Sequence, residues 1–298
     1  MSQPIRLSPR DLGLLALLTL FWGVNWPVMK IGVHEMAPLT FRSLTMIGGL
    51  PVLALLARAA GLSLRVPRED WRELAVLALT NMAIWFVLVM YGVWLLSSGR
   101  AAILGYTMPI WSALIAIVLY GEHPSRRLWF GVAGAACGVL LLLASEFAAI
   151  SGSPLGTVLM LVAAAIWAYG THRMRRRRQA TPVLVITFWS LALSLLLCGS
   201  LALIFERDRF TGWPSAAGWG AVVFNSVAIF GFAQLVWFRL ATILPPVASG
   251  LSVMLIPVNG VFSGVAMLDE RLAWQDWAAL GFLLVAIASV LLPSRSRA

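Results

Sequence analysis

The stretch YTMPIWSALIAIVLYGEHPS, residues 106 to 125, has a second version in MLIPVNGVFSGVAMLDERLA, residues 254 to 273. Each is an apolar run with a proline near its start and a glutamate near its end. Pro257 and Glu270 follow Pro109 and Glu122 by 148 positions, and Trp277 follows Trp129 by the same interval. So few identities carry little alone; equal segment lengths and matched landmarks carry the repeat.

Sixty per cent of the 298 residues are hydrophobic and 11% are charged, with a mean hydropathy of +0.89. A soluble domain is roughly 25% charged. Too little polar surface is present to face water, so the chain is an integral membrane protein. The formal net charge of +10 points at first to nucleic acid. The arginines lie mostly between apolar runs, however, where membrane topology accounts for them, and no nucleic-acid partner is expected. Cys137 and Cys198 sit inside apolar runs with no disulfide framework or metal-ligand spacing, so neither metal nor cofactor is expected. The opening MSQPIRLSPRDLG leads into a spanning run without a small-residue cleavage site, and no removable signal peptide is expected.

A hydrocarbon core of about 30 Å takes about 20 apolar residues as a helix. On that template ten spans are predicted near 12–31, 38–57, 74–96, 101–120, 128–145, 155–170, 183–205, 216–238, 245–268 and 273–292. The runs are continuously apolar and do not alternate, which excludes a β-barrel. One side of this arrangement receives 16 arginines and the other six lysines and arginines, so both termini and the basic stretch 171–180 are expected in the cytoplasm. A five-span unit has its ends on opposite faces, and its copy must enter upside down. The expected fold is therefore all-α, two inverted five-helix repeats over 1–148 and 149–298, with Glu122 at the cytoplasmic face and Glu270 at the outer face. Such repeats are a signature of secondary transporters, with the substrate held near the midplane.

Within the spans the polar residues are Asn25, Asn81, Asn225, Gln234 and Asn259. Two roles fit each of them, an interhelical hydrogen bond or the wall of a wet cavity. Aromatic rings accompany them: Trp22 and Trp26 flank Asn25, Trp85 follows Asn81 by one turn, and Phe230 and Trp237 bracket Gln234. The candidate substrate cavity is Trp22, Asn25, Asn81, Trp85, Tyr106, Trp167, Phe230, Gln234 and Asn259, apolar and aromatic with a few amides. Trp71, Trp129, Trp219 and Trp277 read as interfacial belt.

All 12 acids fall in connections or at span ends. No carboxylate is left mid-membrane to relay protons, so a facilitator is expected. His34, His123 and His172 lie at edges, where no role is assigned. Pro109 and Pro257 remove a backbone hydrogen bond and are expected to kink or gate their helices. Glu122 and Glu270 are expected to cap the next helix, at Pro124 or Leu272, or to pair with Arg126 or Arg271, and Arg42, near a span end, is expected as a structural cap or ion-pair partner. Gly134 with Gly138, and Gly260 with Gly264, form GxxxG pairs suited to internal packing first and to dimerisation second; a monomer or weak homodimer is expected.

These landmarks assemble into a resemblance over nearly the full length to the ten-helix transporters of the drug/metabolite transporter superfamily. FWGVNWPVMKIG is similar to that family's first helix, with Trp22, Gly23, Asn25 and the closing Lys30. Pro38 and Arg42 in APLTFRSL match its second-helix proline and arginine, and the two proline-to-glutamate blocks match its fourth and ninth helices. The second half departs from the pattern, reading VLVITFWSL where a counterpart of Arg42 is sought. The aromatic-rich spans are most similar to bacterial inner-membrane exporters of aromatic and other amino acids. The resemblance implies export of small amphipathic metabolites by alternating access, amino acids in first place. Export of organic cations is the alternative, weakened by the lack of a first-helix carboxylate. A membrane-embedded enzyme is the remote one, since no buried nucleophile with an acid or base appears.

Overall fold

In a computed structural model of the chain, the structure describes residues 8–123, 125–148, 152–177, 181–209, 212–234, 236 and 246–291. All regular secondary structure among them is helical. The helices are α1 (Pro9–Glu35), α2 (Pro38–Ala59), α3 (Arg68–Leu95), α4 (Ser98–Tyr120), α5 (Arg126–Ala148), α6 (Pro154–Arg176), α7 (Val183–Phe205), α8 (Ala216–Ala233), α9 (Pro246–Leu268) and α10 (Trp274–Leu291). The first eight are long and apolar enough to cross a membrane; the apolar parts described in the last two, Met254–Leu268 and Trp274–Ser289, are shorter.

Local chemistry sets the helix starts. Pro9, Pro38 and Pro154 occupy first turns, where a missing N–H goes unnoticed. Ser8, Ser97, Ser153 and Ser215 accept hydrogen bonds from the backbone N–H groups of Asp11, Arg100, Gly156 and Gly218, as N-cap residues do. Three spans are irregular inside. α3 is wound as π-helix over Leu79–Ala83, and α8 over Phe224–Ala233; the 148-residue interval carries 79–83 onto 227–231, within the second stretch. α4 stops at Gly105 and restarts at Met108, with Pro109 in the first turn of the new piece. Pro109 therefore starts a helix where a kink was expected, because the broken backbone before it leaves no N–H partner to lose. Pro257 lies inside α9.

Both repeated stretches end in one kind of turn. Gly121 (φ 66°) and Asp269 (φ 51°) are left-handed, and the N–H groups of Glu122 and Glu270 donate back to the carbonyls of Ala116 and Gly264 at 3.1 and 3.4 Å. Each bond reaches back six positions, one more than the long bond of a Schellman ending, and closes a helix end around a left-handed residue in the same way. The two side chains then differ. A Cβ on Gly264 would stand 2.6 Å from Oε2 of Glu270, so the missing side chain lets the carboxylate fold over α9 onto α4. There it accepts the N–H groups of Ser98 and Gly99 at 2.6 and 3.2 Å. The capped helix lies across the bundle, not next in sequence as expected. Glu122, preceded by Ala116 at the matching place, is exposed and bonds no side-chain partner among the described residues.

The packing order is regular. α1 lies along α9 and α4 along α6; α3 packs on α6 and α8 on α1; α2 packs on α8 and α7 on α3; α2 also lies along α7, and α5 along α10. Glycines make the close approaches: a Cβ on Gly131 would strike Oγ of Ser289 across the α5–α10 seam, and one on Gly260 would lie 2.9 Å from Cβ of Ala102 in α4.

Side chains close helix ends where α1, α3, α5, α7 and α9 finish. Buried Glu206 accepts the N–H groups of Leu39 and Thr40 at 3.0 and 2.8 Å, and the hydroxyls of Thr40 and Tyr91 at 3.0 Å each. Glu35 accepts the N–H and hydroxyl of Ser215 at 2.7 and 2.6 Å. Lys30 donates to the carbonyls of Val93, Trp94 and Leu96 at 2.9, 2.9 and 2.7 Å, closing α3. Arg100 bridges Asp276, at 2.6 Å, and Glu146, tying α4 to α10 and α5. Replacing Glu206 with Ala leaves two N–H groups at the start of α2 without acceptors, and a loss of about 1–3 kcal/mol is expected. Thermal unfolding of the purified protein reads this as a lowered Tm; an unchanged Tm would mean that water serves equally well.

Candidate functional site

The residues singled out in the sequence separate into three seams. In the α1–α9 seam, Gly23 lets the two backbones meet, since a Cβ there would clash with Cβ of Asn259. Asn25, two residues on, has a buried Oδ1 with no hydrogen-bond partner among the described residues. The indole of Trp26 fits between Gly260 of α9 and Gly105 of α4 and meets the ring of Tyr106 edge-on at 6.2 Å. Tyr106 is the buried residue at the break in α4. Half-buried Trp22 packs beside Leu18, Ala233 and Phe232, linking this seam to α8.

In the α3–α6 seam, Asn81 lies within the π-helical turns of α3. Its backbone rests against Gly170, and its Nδ2 donates to Oγ1 of Thr171 at 3.4 Å. One turn on, Trp85 meets Trp167 with ring centroids 5.1 Å apart. Asn81 thus has the interhelical hydrogen bond that was one of its two possible roles. Asn225 is fully buried in α8, its Nδ2 donating to the carbonyl of Ala221 at 3.2 Å while Oδ1 lacks a partner among the described residues. Gln234 is half-buried at the end of the same stretch; Trp237 lies outside the described residues.

The third group was not foreseen as one. Arg42 of α2 was expected near a span end as a structural cap or ion-pair partner. It is instead 3% exposed and belongs to no ion pair among the described residues. Its guanidinium carbon lies 4.6 Å over the ring of Phe86 and 5.9 Å from that of Phe230, and these rings meet edge-on at 6.0 Å. One terminal nitrogen donates to the thioether of Met29 at 3.1 Å; Nε is buried without an acceptor among the described residues. The sequence carried one signal for this, a positive charge inside a predicted span, but none for its neighbours. The rings ride on the irregular helices: Phe86 follows the π-helical turns of α3, and Phe230 lies within those of α8. π-Helical turns concentrate at functional sites.

Other polar residues have structural partners. His172, placed at an edge without a role, is buried, and its Nε2 lies 2.9 and 2.8 Å from Oγ and the carbonyl of Ser112; it ties α6 to α4 beside the Arg176 guanidinium, 3.5 Å over the ring of Tyr120. A shallow groove of about 620 Å³ opens beside Ala54, Arg58, Gly61, Leu62, Ser63 and Leu64 at the far end of α2. It holds none of the amides or tryptophans above. No group of three or more His, Cys, Asp or Glu side chains with metal-binding geometry occurs among the described residues.

Comparison with known proteins fits this helical, amide-bearing bundle. The model of the EamA-like transporter family matches twice, over residues 12–144 and 154–292. The uncharacterized transporter YoaV of Bacillus subtilis (strain 168) is 26% identical over 92% of this chain and 93% of its own. A probable amino-acid metabolite efflux pump of Escherichia coli (strain K12) is 25% identical over 94% and 93%. One solved crystal structure matches with a TM-score of 0.67 at 21% identity, over 96% of this chain and 99% of its own; at that identity the likeness is one of fold alone. Matched over both halves by one family model, this multi-pass membrane protein belongs to the EamA-like transporter family.

Proposed function

We propose that the protein is an inner-membrane secondary transporter that exports small amphipathic metabolites, amino acids in first place and aromatic ones among them, by alternating access. The observation that carries the substrate class is the pairing of under-satisfied amides, Asn25 and Asn225, with tryptophans and phenylalanines in the same helices. Buried polar atoms without partners invite a polar ligand. The name of the Escherichia coli relative points the same way. With the positive-inside rule, the end closed by Glu206 and Glu270 is the outer one.

Alternation is supported by the symmetry of the packing order. Adding five to each helix number turns α1–α9 into α6–α4, α3–α6 into α8–α1 and α2–α8 into α7–α3, as expected for two inverted repeats over 1–148 and 149–298. The two family matches, over 12–144 and 154–292, support that division. The repeat relates Glu270, seated on the start of α4, to exposed Glu122, whose counterpart seat is the start of α9; there Pro246 stands at the place of Ser98 and has no N–H, so Val247, at the place of Gly99, is the one donor of that pair. Closing the inner end would seat Glu122 there while Glu270 lets go. Pro246 withholds one donor and Ala116 in place of Gly264 crowds that seat, so the outward-closed state is favoured. The buried carboxylates Glu146, Glu206 and Asp276 are occupied by fixed donors, which suits a facilitator better than a proton relay.

In proteoliposomes, counterflow of labelled amino acids is expected, with no competition from cationic dyes; dye transport alone would favour organic-cation export. Asn25→Ala should lower turnover with little loss of Tm, whereas a large fall in Tm at unchanged turnover per folded molecule would make Asn25 a packing residue. Glu270→Gln and Glu122→Gln should each slow turnover several-fold while substrate affinity holds, and a Glu122 variant with wild-type turnover would remove it from the cycle. A proton ionophore should leave uptake unchanged; accumulation driven by a pH gradient would contradict facilitation. In a background lacking Cys137 and Cys198, cysteine at Arg207 should react with an impermeant reagent from outside and cysteine at Arg65 should not.

A further inference from the structure

A guanidinium buried in a membrane protein is expected to hold an anion, and Arg42 holds none among the described residues. Phe86 and Phe230 lie at the guanidinium of Arg42, with the carbon over the Phe86 ring. The donors that remain point from the edge of the guanidinium plane, where Nε has no acceptor and one terminal nitrogen meets only the thioether of Met29, a weak acceptor. Depth is appropriate as well. Phe86 lies nine residues before the end of α3 at Leu95, about 14 Å of helix at about 1.5 Å per residue, roughly half of the hydrocarbon core.

We propose that Arg42 docks the carboxylate of the transported solute, so that the substrates are monocarboxylic acids with an apolar side chain, aliphatic and aromatic amino acids among them. This rests on the transport reading above and names the group by which that site selects its substrate. A carboxylate lying in the guanidinium plane meets Nε and a terminal nitrogen together, the bidentate arrangement that arginine favours. Phe86, Phe230 and Met29 then supply the wall for the apolar side chain. A dianion is not matched: the other cations in the spans at this end are engaged, Lys30 by three carbonyls and Arg100 by two carboxylates. Access follows from the helices that carry the rings, since the π-helical stretches of α3 and α8 can shift register and part the two phenylalanines.

The experiment uses the purified full-length protein with L-phenylalanine and L-leucine beside their amides, reading the ligand-induced shift in Tm and counterflow in proteoliposomes. The wild type is expected to be stabilised by the acids and not by the amides, and to move only the acids. Arg42→Met should melt at or above the unliganded wild type, because a buried charge without a counterion has been removed, while losing both stabilisation by the acids and their transport. Arg42→Lys should keep transport with KM raised on the order of tenfold to a hundredfold, as a point charge replaces the bidentate fork. A methionine variant that melts far below the wild type while the lysine variant keeps its KM would make Arg42 a packing residue. Amides moved as fast as the acids overturn this inference alone; a wild type that moves neither overturns the amino-acid reading with it.

Discussion

Each helix entering the bundle brings backbone N–H groups with no partner inside the helix, and each leaving brings carbonyls in the same position. Away from water these ends must be satisfied by side chains. At one end of this protein that requirement is met from across the bundle. Glu206 covers the start of α2 and Glu270 the start of α4, while Lys30 covers the end of α3. The seams of α7 with α2, α9 with α4 and α1 with α3 are thereby fixed in register. The aromatic and amide residues deeper in the bundle hold their positions because these ends hold theirs.

The same requirement explains why two equivalent turns differ. Gly121 and Asp269 end their helices alike, and the backbones of Glu122 and Glu270 make matching hydrogen bonds. One carboxylate finds two free N–H groups at the start of α4, whereas the matching start of α9 has Pro246, with no N–H, at the place of Ser98. A carboxylate at a helix start exchanges its water shell for two charge-assisted hydrogen bonds. The difference between an engaged and a free glutamate is thus of the size that biases a two-state equilibrium without freezing it. Arg42 lies between these ends, where the irregular turns of α3 and α8 make the packing easiest to rearrange.

Much of the fold was legible in the sequence because hydropathy and length are local properties. Ten apolar runs gave ten helices, and the interval from Glu122 to Glu270 located two identical turns. The departures arose where distant residues decide. Pro109 was expected to bend a helix, but the break before it at Tyr106 depends on Trp26 filling the space beside Gly105. Glu270 was expected to cap its own neighbour, yet it reaches α4 because Gly264 clears the path. Arg42, in APLTFRSL, stands near a span end, where a long cation ordinarily snorkels to water. Only the packing of α1, α3 and α8 around it turns the guanidinium inward. The aromatic residues beside Asn25 and Asn81 were recognised as types, but their division between two seams depends on which helices meet.

The central claim is that the two ends of the bundle close in turn, with Glu270 engaged in one state and Glu122 in the other. Its most direct test is a pair of spin-label distances in lipid, one between residues 207 and 271 and the other between residues 65 and 123. Replacing Glu270 with Gln should lengthen the first distance and shorten the second in the same fraction of molecules. Movement at one end alone, or unchanged distributions at both, would contradict reciprocal closure.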